Sequence, residues 1–171
     1  FLSTLHRKRN ITFDVGKPLS FEGEVVPTSW REGPSFIGFD DGGLCIQTEH
    51  KKDVNKALET WLRSQARQRL SDAVSLFARE SAVEPKRIAI RDTKSRWGSC
   101  STSGTLSFSW RIIMAPPPVL HYLAAHEVAH MTHMDHSPAF WSQVQAFQED
   151  WALWRDWLSL HGMELMRLKF A

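Results

Sequence analysis

The chain is poor in several things. It has only two cysteines in 171 residues, Cys45 and Cys100, too few for a disulfide framework and suited to a reducing cytoplasm. It has no run of about 18 apolar residues, so no segment reads as a transmembrane helix. Its first stretch, "FLSTLHRKRN", places the basic residues after a very short apolar start, the wrong order and length for a secretory signal. It has little charge excess: 21 basic against 19 acidic side chains give a net +2, too mild to imply nucleic acid by itself. Internal repeats and low-complexity tracts are missing too. What it has is a 42% hydrophobic composition with eight Trp and ten Phe, enough for an ordinary globular core dominated by aromatics.

The order of elements reads as strands, helix, strands, helix, helix, an α+β pattern. "ITFDV", "LSFEGEVV" and "PSFIGF" are short strand segments broken by Gly and Pro. Asp40 to Gly43 ("DDGG") reads as a hairpin turn between "SFIGF" and "LCIQT". Residues 52–80 hold no Gly or Pro, and Val54, Leu58, Leu62, Ala66, Leu70, Ala73 and Phe77 recur at helical spacing, a long amphipathic helix. "RIAIRD" (87–92) and "LSFSWRIIM" (106–114) read as strands, with a turn around Gly104. "PPP" (116–118) starts a helix that carries His126, Glu127 and His130. Ser137-Pro138 starts another, with Phe140, Val144, Phe147, Trp151, Trp154 and Leu158 as one apolar stripe and Gly162 as its stop. "MELMRLKF" then closes as a strand.

The chemistry concentrates in "HEVAHMTHMDHSP", residues 126–138. His126 and His130 are four residues apart, so on a helix they share a face and can grip one metal ion from adjacent turns. Glu127 projects to the side, too far round for a comfortable third ligand but placed to touch a water on the metal. Zinc lowers the pKa of its water towards about 7, and a carboxylate beside it can take the proton and return it to a leaving group. The same ion polarises a carbonyl. That chemistry is peptide-bond hydrolysis without a covalent intermediate. A further histidine, His136, follows six residues after His130. A closed structural zinc site with Cys100 as a fourth ligand is the competing reading.

Residues 92–141, "DTKSRWGSCSTSGTLSFSWRIIMAPPPVLHYLAAHEVAHMTHMDHSPAFW", resemble the YgjP-like metallopeptidase family, which is similar to SprT-like and WLM-type zinc peptidases. Two blocks carry the resemblance: "SRWGSCS" and H-E-x-x-H-x5-H followed by an aromatic pair. It implies a zinc-dependent hydrolase of zincin-like fold, with a mixed or antiparallel sheet, a long helix, an active-site helix and a C-terminal Trp-rich helix. It implies His126, His130 and His136 as zinc ligands and Glu127 as the catalytic base. Residues 1–50 are then the β-rich N-terminal portion of the same domain, and residues 51–171 the catalytic portion.

The choice of His136 over His133 also has a geometric argument. On a continuing helix His126, His130 and His133 would be strung along roughly 10 Å of axis. Three donors in a near-line cannot close three corners of a tetrahedron with bonds of about 2 Å. A ligand from a turn beyond the helix can, and Ser137-Pro138 disfavours helix through that junction. His133 is then surplus, either exposed or hydrogen-bonding behind a ligand. The Gly that metzincins place at this point is replaced here by His133, so the helix is expected to run on to Met134 or Asp135.

Other residues carry two readings each. "SRWGSC" (95–100) is either a packing motif of buried Trp97, tight Gly98 and small Cys100, or a cleft element in which Ser99 or Arg96 binds substrate. "LSFSWRIIM" is a candidate cleft rim for an extended peptide added as a strand. Arg111 and His121 are candidates for oxyanion stabilisation. Tyr122 is not singled out by its position. Lys52, Lys56, Arg63 and Arg67 cluster within roughly 60° of the long helix, either as a solvated face or as a docking strip for an anion. The expected partner is a protein or peptide substrate. The strip supports a rival in which the same site hydrolyses nucleoside triphosphates, and a non-catalytic zinc-stabilised binding module is the other rival.

Overall fold

The computed structural model describes residues 10–170; residues 1–9, which carry most of the stretch read above for a signal, lie outside them. The strands and helices follow in the order β1 (Ile11–Thr12), β2 (Leu19–Phe21), β3 (Glu24–Val26), β4 (Thr28–Glu32), β5 (Phe36–Asp40), β6 (Gly43–Thr48), α1 (Val54–Glu80), β7 (Arg87–Arg91), β8 (Gly98–Cys100), β9 (Thr105–Ser109), α2 (Pro117–Ala129), α3 (Pro138–Phe147), α4 (Trp151–Arg167) and β10 (Leu168–Lys169). The architecture is α+β. No helix among the described residues is long and apolar enough to cross a membrane.

Helix α1 forms as its periodicity dictates: Val54, Leu58, Leu62, Ala66, Leu70, Ala73 and Phe77 are all buried along one face. Around it lie two small mixed sheets. In the first, β6 is central, parallel to β4 and antiparallel to β5. The β5–β6 hairpin turns at the Asp40 to Gly43 segment, where the Asp40 carboxylate accepts from the Gly42 amide at 2.8 Å. In the second, β9 is central, parallel to β7 and antiparallel to β8. One buried apolar cluster joins Phe13, Leu19, Phe21, Leu44 and Ile46 to α1, β9 and α2. The N-terminal strands therefore pack on the same core as the histidine-bearing helix.

Three readings of the second sheet and the C-terminal region need correction. The strand expected over 106–114 stops at Ser109, and Trp110–Met114 is a turn of 3₁₀ helix. All five of those residues are buried, which a half-exposed strand could not achieve. The Ser109 side chain accepts from the Arg111 amide and starts the turn. Arg111 then anchors the segment by donating to Asp92 and to the carbonyls of Leu165 and Leu168.

The Trp-rich helix is two helices. Residues 148–150 break it, and Trp151 folds back to stack on Trp141 at 4.4 Å and 18°. In one straight helix these rings, ten positions apart, would be separated by about 15 Å along the axis. The indole N–H groups support the break: Trp151 donates to Gln145 at 2.7 Å and Trp154 to Asp150 at 2.8 Å.

Gly162 does not stop α4, which runs on to Arg167, so the final strand shrinks to Leu168–Lys169, paired in parallel with β1. The glycine is there for a close approach. A Cβ on it would stand 2.9 Å from Nε1 of Trp97, whose indole fills that notch. Ala in place of Gly inside a helix ordinarily stabilises by about 0.5–1 kcal/mol. At this position the sign should invert: Gly162→Ala should lower the thermal midpoint, because overpacking costs about 1–3 kcal/mol. A raised midpoint in a calorimetric scan would show that Trp97 does not occupy the notch.

Candidate metal centre

Helix α2 begins at its proline run, with Pro116 as N-cap, and buries most of its length, including Val119, Leu123, Ala124, Ala125, Val128 and Ala129. That apolar wrap fixes its rotation. His126 in the last turn and His130 at the C-cap consequently point the same way, with ring centroids 4.9 Å apart.

The helix ends sooner than expected, at Ala129 and not near Met134. Amides of Met131, Thr132 and His133 bond back to the carbonyls of Val128 and Ala129, closing a tight turn without a glycine. The chain then reverses to Ser137, whose hydroxyl accepts from the Phe140 amide and caps α3 with Pro138 in its first turn. The reversal brings the His136 ring to 5.2 Å from that of His126 and 4.8 Å from that of His130. One nitrogen from each of His126, His130 and His136 lies within 4.8 Å of the others.

For one pair of these nitrogens the spacing fits a tetrahedral ion. Nε2 of His126 and Nε2 of His136 are 3.3 Å apart. Two bonds of about 2.0–2.1 Å at a tetrahedral angle place their nitrogens about 3.3–3.4 Å apart. The outer nitrogens of the two helix-borne rings are engaged. Nδ1 of His130 donates to the carbonyl of His133 at 2.9 Å, and Nδ1 of His126 lies 3.3 Å from the hydroxyl of Tyr122. A carbonyl can only accept, so Nδ1 of His130 carries the proton and its Nε2 keeps the lone pair. His133 thus serves through its backbone, and its ring is not in the cluster. Tyr122 is the residue that sequence reasoning missed, and its signal was present: it lies one helical turn before His126.

The electrostatics favour neutral rings at His126 and His130. Burial, with the neighbouring His130 and His136, pushes His126 down to about 3. Burial also lowers His130, against the upward pull of the His133 carbonyl. Glu127 is 4% exposed, and burial raises its carboxyl to about 7. Its side chain lies against β8, where a Cβ on Gly98 would stand 3.0 Å from its Cγ and Oε1. Gly98 therefore makes room for the Glu127 carboxyl, while Trp97 docks its indole on α4. Of "SRWGSC", Trp97 packs, half-buried, and Gly98 lies in a strand and not in a tight turn.

Other candidates fall elsewhere. Cys100 is outside the cluster; its thiol bonds the Ser101 carbonyl, and burial together with Glu127 raises its pKa. Arg111 spends its guanidinium on Asp92 and two carbonyls and stacks 4.6 Å over Trp110. His121 turns to Phe77 on α1. Arg96 is exposed, and Ser99 pairs with Ser107 across the sheet. The strand read as a cleft rim, β9, is paired on both sides and offers no free edge; the edges of that sheet are β7 and β8. Of the basic strip, Arg63 bonds Glu59 and faces Asp92, Lys56 lines a groove of about 700 Å³ with Phe36, Gln47 and Trp61, and Arg67 borders a separate hollow with Ile90. Neither cavity is lined by a residue of the histidine cluster.

The model of the YgjP-like metallopeptidase domain matches residues 3–161. Among solved structures, the metallopeptidase zymogen of Pyrococcus abyssi abylysin is similar at a TM-score of 0.49 and 20% identity, covering 58% of this chain and 98% of that one. No curated protein matches the chain significantly.

The buried groups give a signed pH dependence for the metal-free protein. Glu127 is raised from 4.5 to about 7, so its carboxyl costs stability as pH rises through that window. His126 is lowered from 6.5 to about 3, so it costs stability as pH falls below 6.5. Glu127→Gln removes only the first contribution. In chelator, urea unfolding should show Glu127→Gln more stable than the parent at about pH 8, with the advantage gone by about pH 4. A pH-independent difference would contradict the burial of this carboxyl.

Proposed function

The chain belongs to the YgjP-like metallopeptidase family, and from that premise we propose that it is a zinc-dependent peptidase in which His126, His130 and His136 hold the ion and Glu127 is the general base. The observation that carries this reading is the conjunction of three imidazole nitrogens within 4.8 Å of one another and a buried carboxylate on the residue next to the first. The donor set is all imidazole, which suits zinc over the oxygen-seeking magnesium or calcium. Three ligands, not four, leave a position open for chemistry. When bound, zinc supplies Lewis acidity, acidifying water and polarising a carbonyl oxygen.

The protein's own groups do the rest. Glu127 accepts a proton from the attacking water and returns it to the departing amine nitrogen. Its carboxyl is near neutral without a cation, and a nearby positive charge lowers it into the ionised form a base requires. Tyr122 and the His133 carbonyl orient the rings of His126 and His130. The edge strand β8 runs beside Glu127, and an extended peptide pairing with it would lay its backbone along the site. Residues 1–50 share a core with residues 51–171, which supports one functional unit. Two unpaired thiols, Cys45 and Cys100, fit a reducing cytoplasm.

Three experiments test the assignment. Glu127→Gln should keep about one zinc per chain yet lose roughly 100-fold or more in peptide turnover. Zinc loss would make Glu127 a ligand, and no turnover by the zinc-loaded parent, with Glu127→Gln tolerated, would favour a binding module. Nucleoside triphosphates offered in parallel should not turn over; hydrolysis abolished by charge reversal of Lys52, Lys56, Arg63 and Arg67 would favour the nucleotide rival. Among the histidines, His136→Ala should weaken zinc binding far more than His133→Ala, and the reverse order would show the wrong third ligand.

A further inference from the structure

His136 differs from the other two proposed ligands. It is exposed, and it sits on the turn between α2 and α3 where the others sit at the end of a packed helix. His126 and His130 each have a hydrogen bond on the outer nitrogen, whereas the contacts that orient His136 are aromatic. Its ring lies 5.7 Å from that of Trp141 at 24°, a stacked arrangement, and meets Phe140 edge-on at 5.0 Å and 88°.

Trp141 is itself clamped. Its other stacking partner is Trp151, at 4.4 Å and 18°, which arrives from α4 through the break at residues 148–150. Trp151 is fixed by its N–H bond to Gln145, and the Arg155 guanidinium lies 4.9 Å from the Trp151 ring. The series His136, Trp141, Trp151, Arg155 ties a loop-borne imidazole to the junction of two helices. The break between α3 and α4 produces this stack and its two indole hydrogen bonds, and it also lets the Gln148 side-chain amide donate to the Pro118 carbonyl at the start of α2 at 3.0 Å.

We propose that Trp141 is a positioning residue for the third ligand, holding the His136 ring by stacking, with Trp151 as its backing. The inference rests on the assignment of His136 as a zinc ligand. The physical reason is preorganisation: a ligand on a loop must otherwise be ordered when the ion binds, and that ordering is subtracted from affinity. A hydrogen-bonding partner does this for helix-borne ligands, and loss of such a partner commonly weakens metal binding by about 10–100-fold. An aromatic face does the same for a ring that offers no anchored outer nitrogen.

The test compares zinc affinity, by competition with a chromophoric chelator, in the whole chain and in Trp141→Phe, Trp141→Leu, Trp151→Ala and His136→Ala. Metal-free thermal midpoints are read alongside. Trp141→Phe keeps a ring face and should bind within about threefold of the parent. Trp141→Leu keeps apolar bulk without the face and should bind about tenfold or more weaker. Trp151→Ala, which does not touch His136, should weaken binding several-fold. Equal affinity for the Phe and Leu variants would overturn the proposal, because a merely structural Trp141 predicts that result. If His136→Ala weakens binding and the tryptophan variants do not, the ligand assignment stands and the positioning role falls. If His136→Ala leaves affinity unchanged, the ligand assignment itself fails.

Discussion

Three imidazole nitrogens lie within 4.8 Å of one another in surroundings where burial and mutual repulsion drive His126 down to about 3. Such an arrangement is costly for the folded chain by itself. Close nitrogen lone pairs repel, a proton on one ring is disfavoured by the next, and desolvation removes the water that would relieve both. Packing and hydrogen bonds oppose that cost. The buried body of α2 holds two of the imidazoles, Tyr122 and the His133 carbonyl set their orientation, and the aromatic rings of α3 and α4 stand against the third.

The same constraint explains the parts of the fold that lie outside the histidine motif. Glu127 has to be buried next to the cluster, so the neighbouring strand must lack a side chain at the point of contact, and Gly98 supplies that. The strand carrying Gly98 must in turn be pinned. It is pinned by pairing with β9 and by Trp97, whose indole fits the gap left by Gly162 on α4. Arg111 ties the segment after β9 to the end of α4. Edge strand, helix α2 and helix α4 are thus interlocked through a few close contacts around one carboxylate and three imidazoles.

The legible features were those written in local periodicity. The seven-residue apolar stripe of α1, the hairpin at Asp40 to Gly43, the proline start of α2 and the serine cap of α3 each depend on neighbours within a turn or two, and each formed as read. The histidine spacing was legible for the same reason. Features that depend on distant partners were not. Gly162 looks like a helix stop until Trp97 is seen in its notch. A single stripe from Phe140 to Leu158 looks continuous until Trp151 stacks back on Trp141. Arg111 looks like a free cation until its carbonyl partners arrive from 54 and 57 residues away. Tyr122 alone was within local reach, one turn before His126, and was passed over because a tyrosine on a helix has many uses.

The central claim is an all-imidazole, three-ligand zinc site with an open position. X-ray absorption at the zinc edge of the metal-loaded protein tests it most directly. The account predicts three imidazole nitrogens and an oxygen donor at about 2.0–2.1 Å, with no sulfur. A scatterer at about 2.3 Å would place Cys100 on the metal and make the site a closed, structural one.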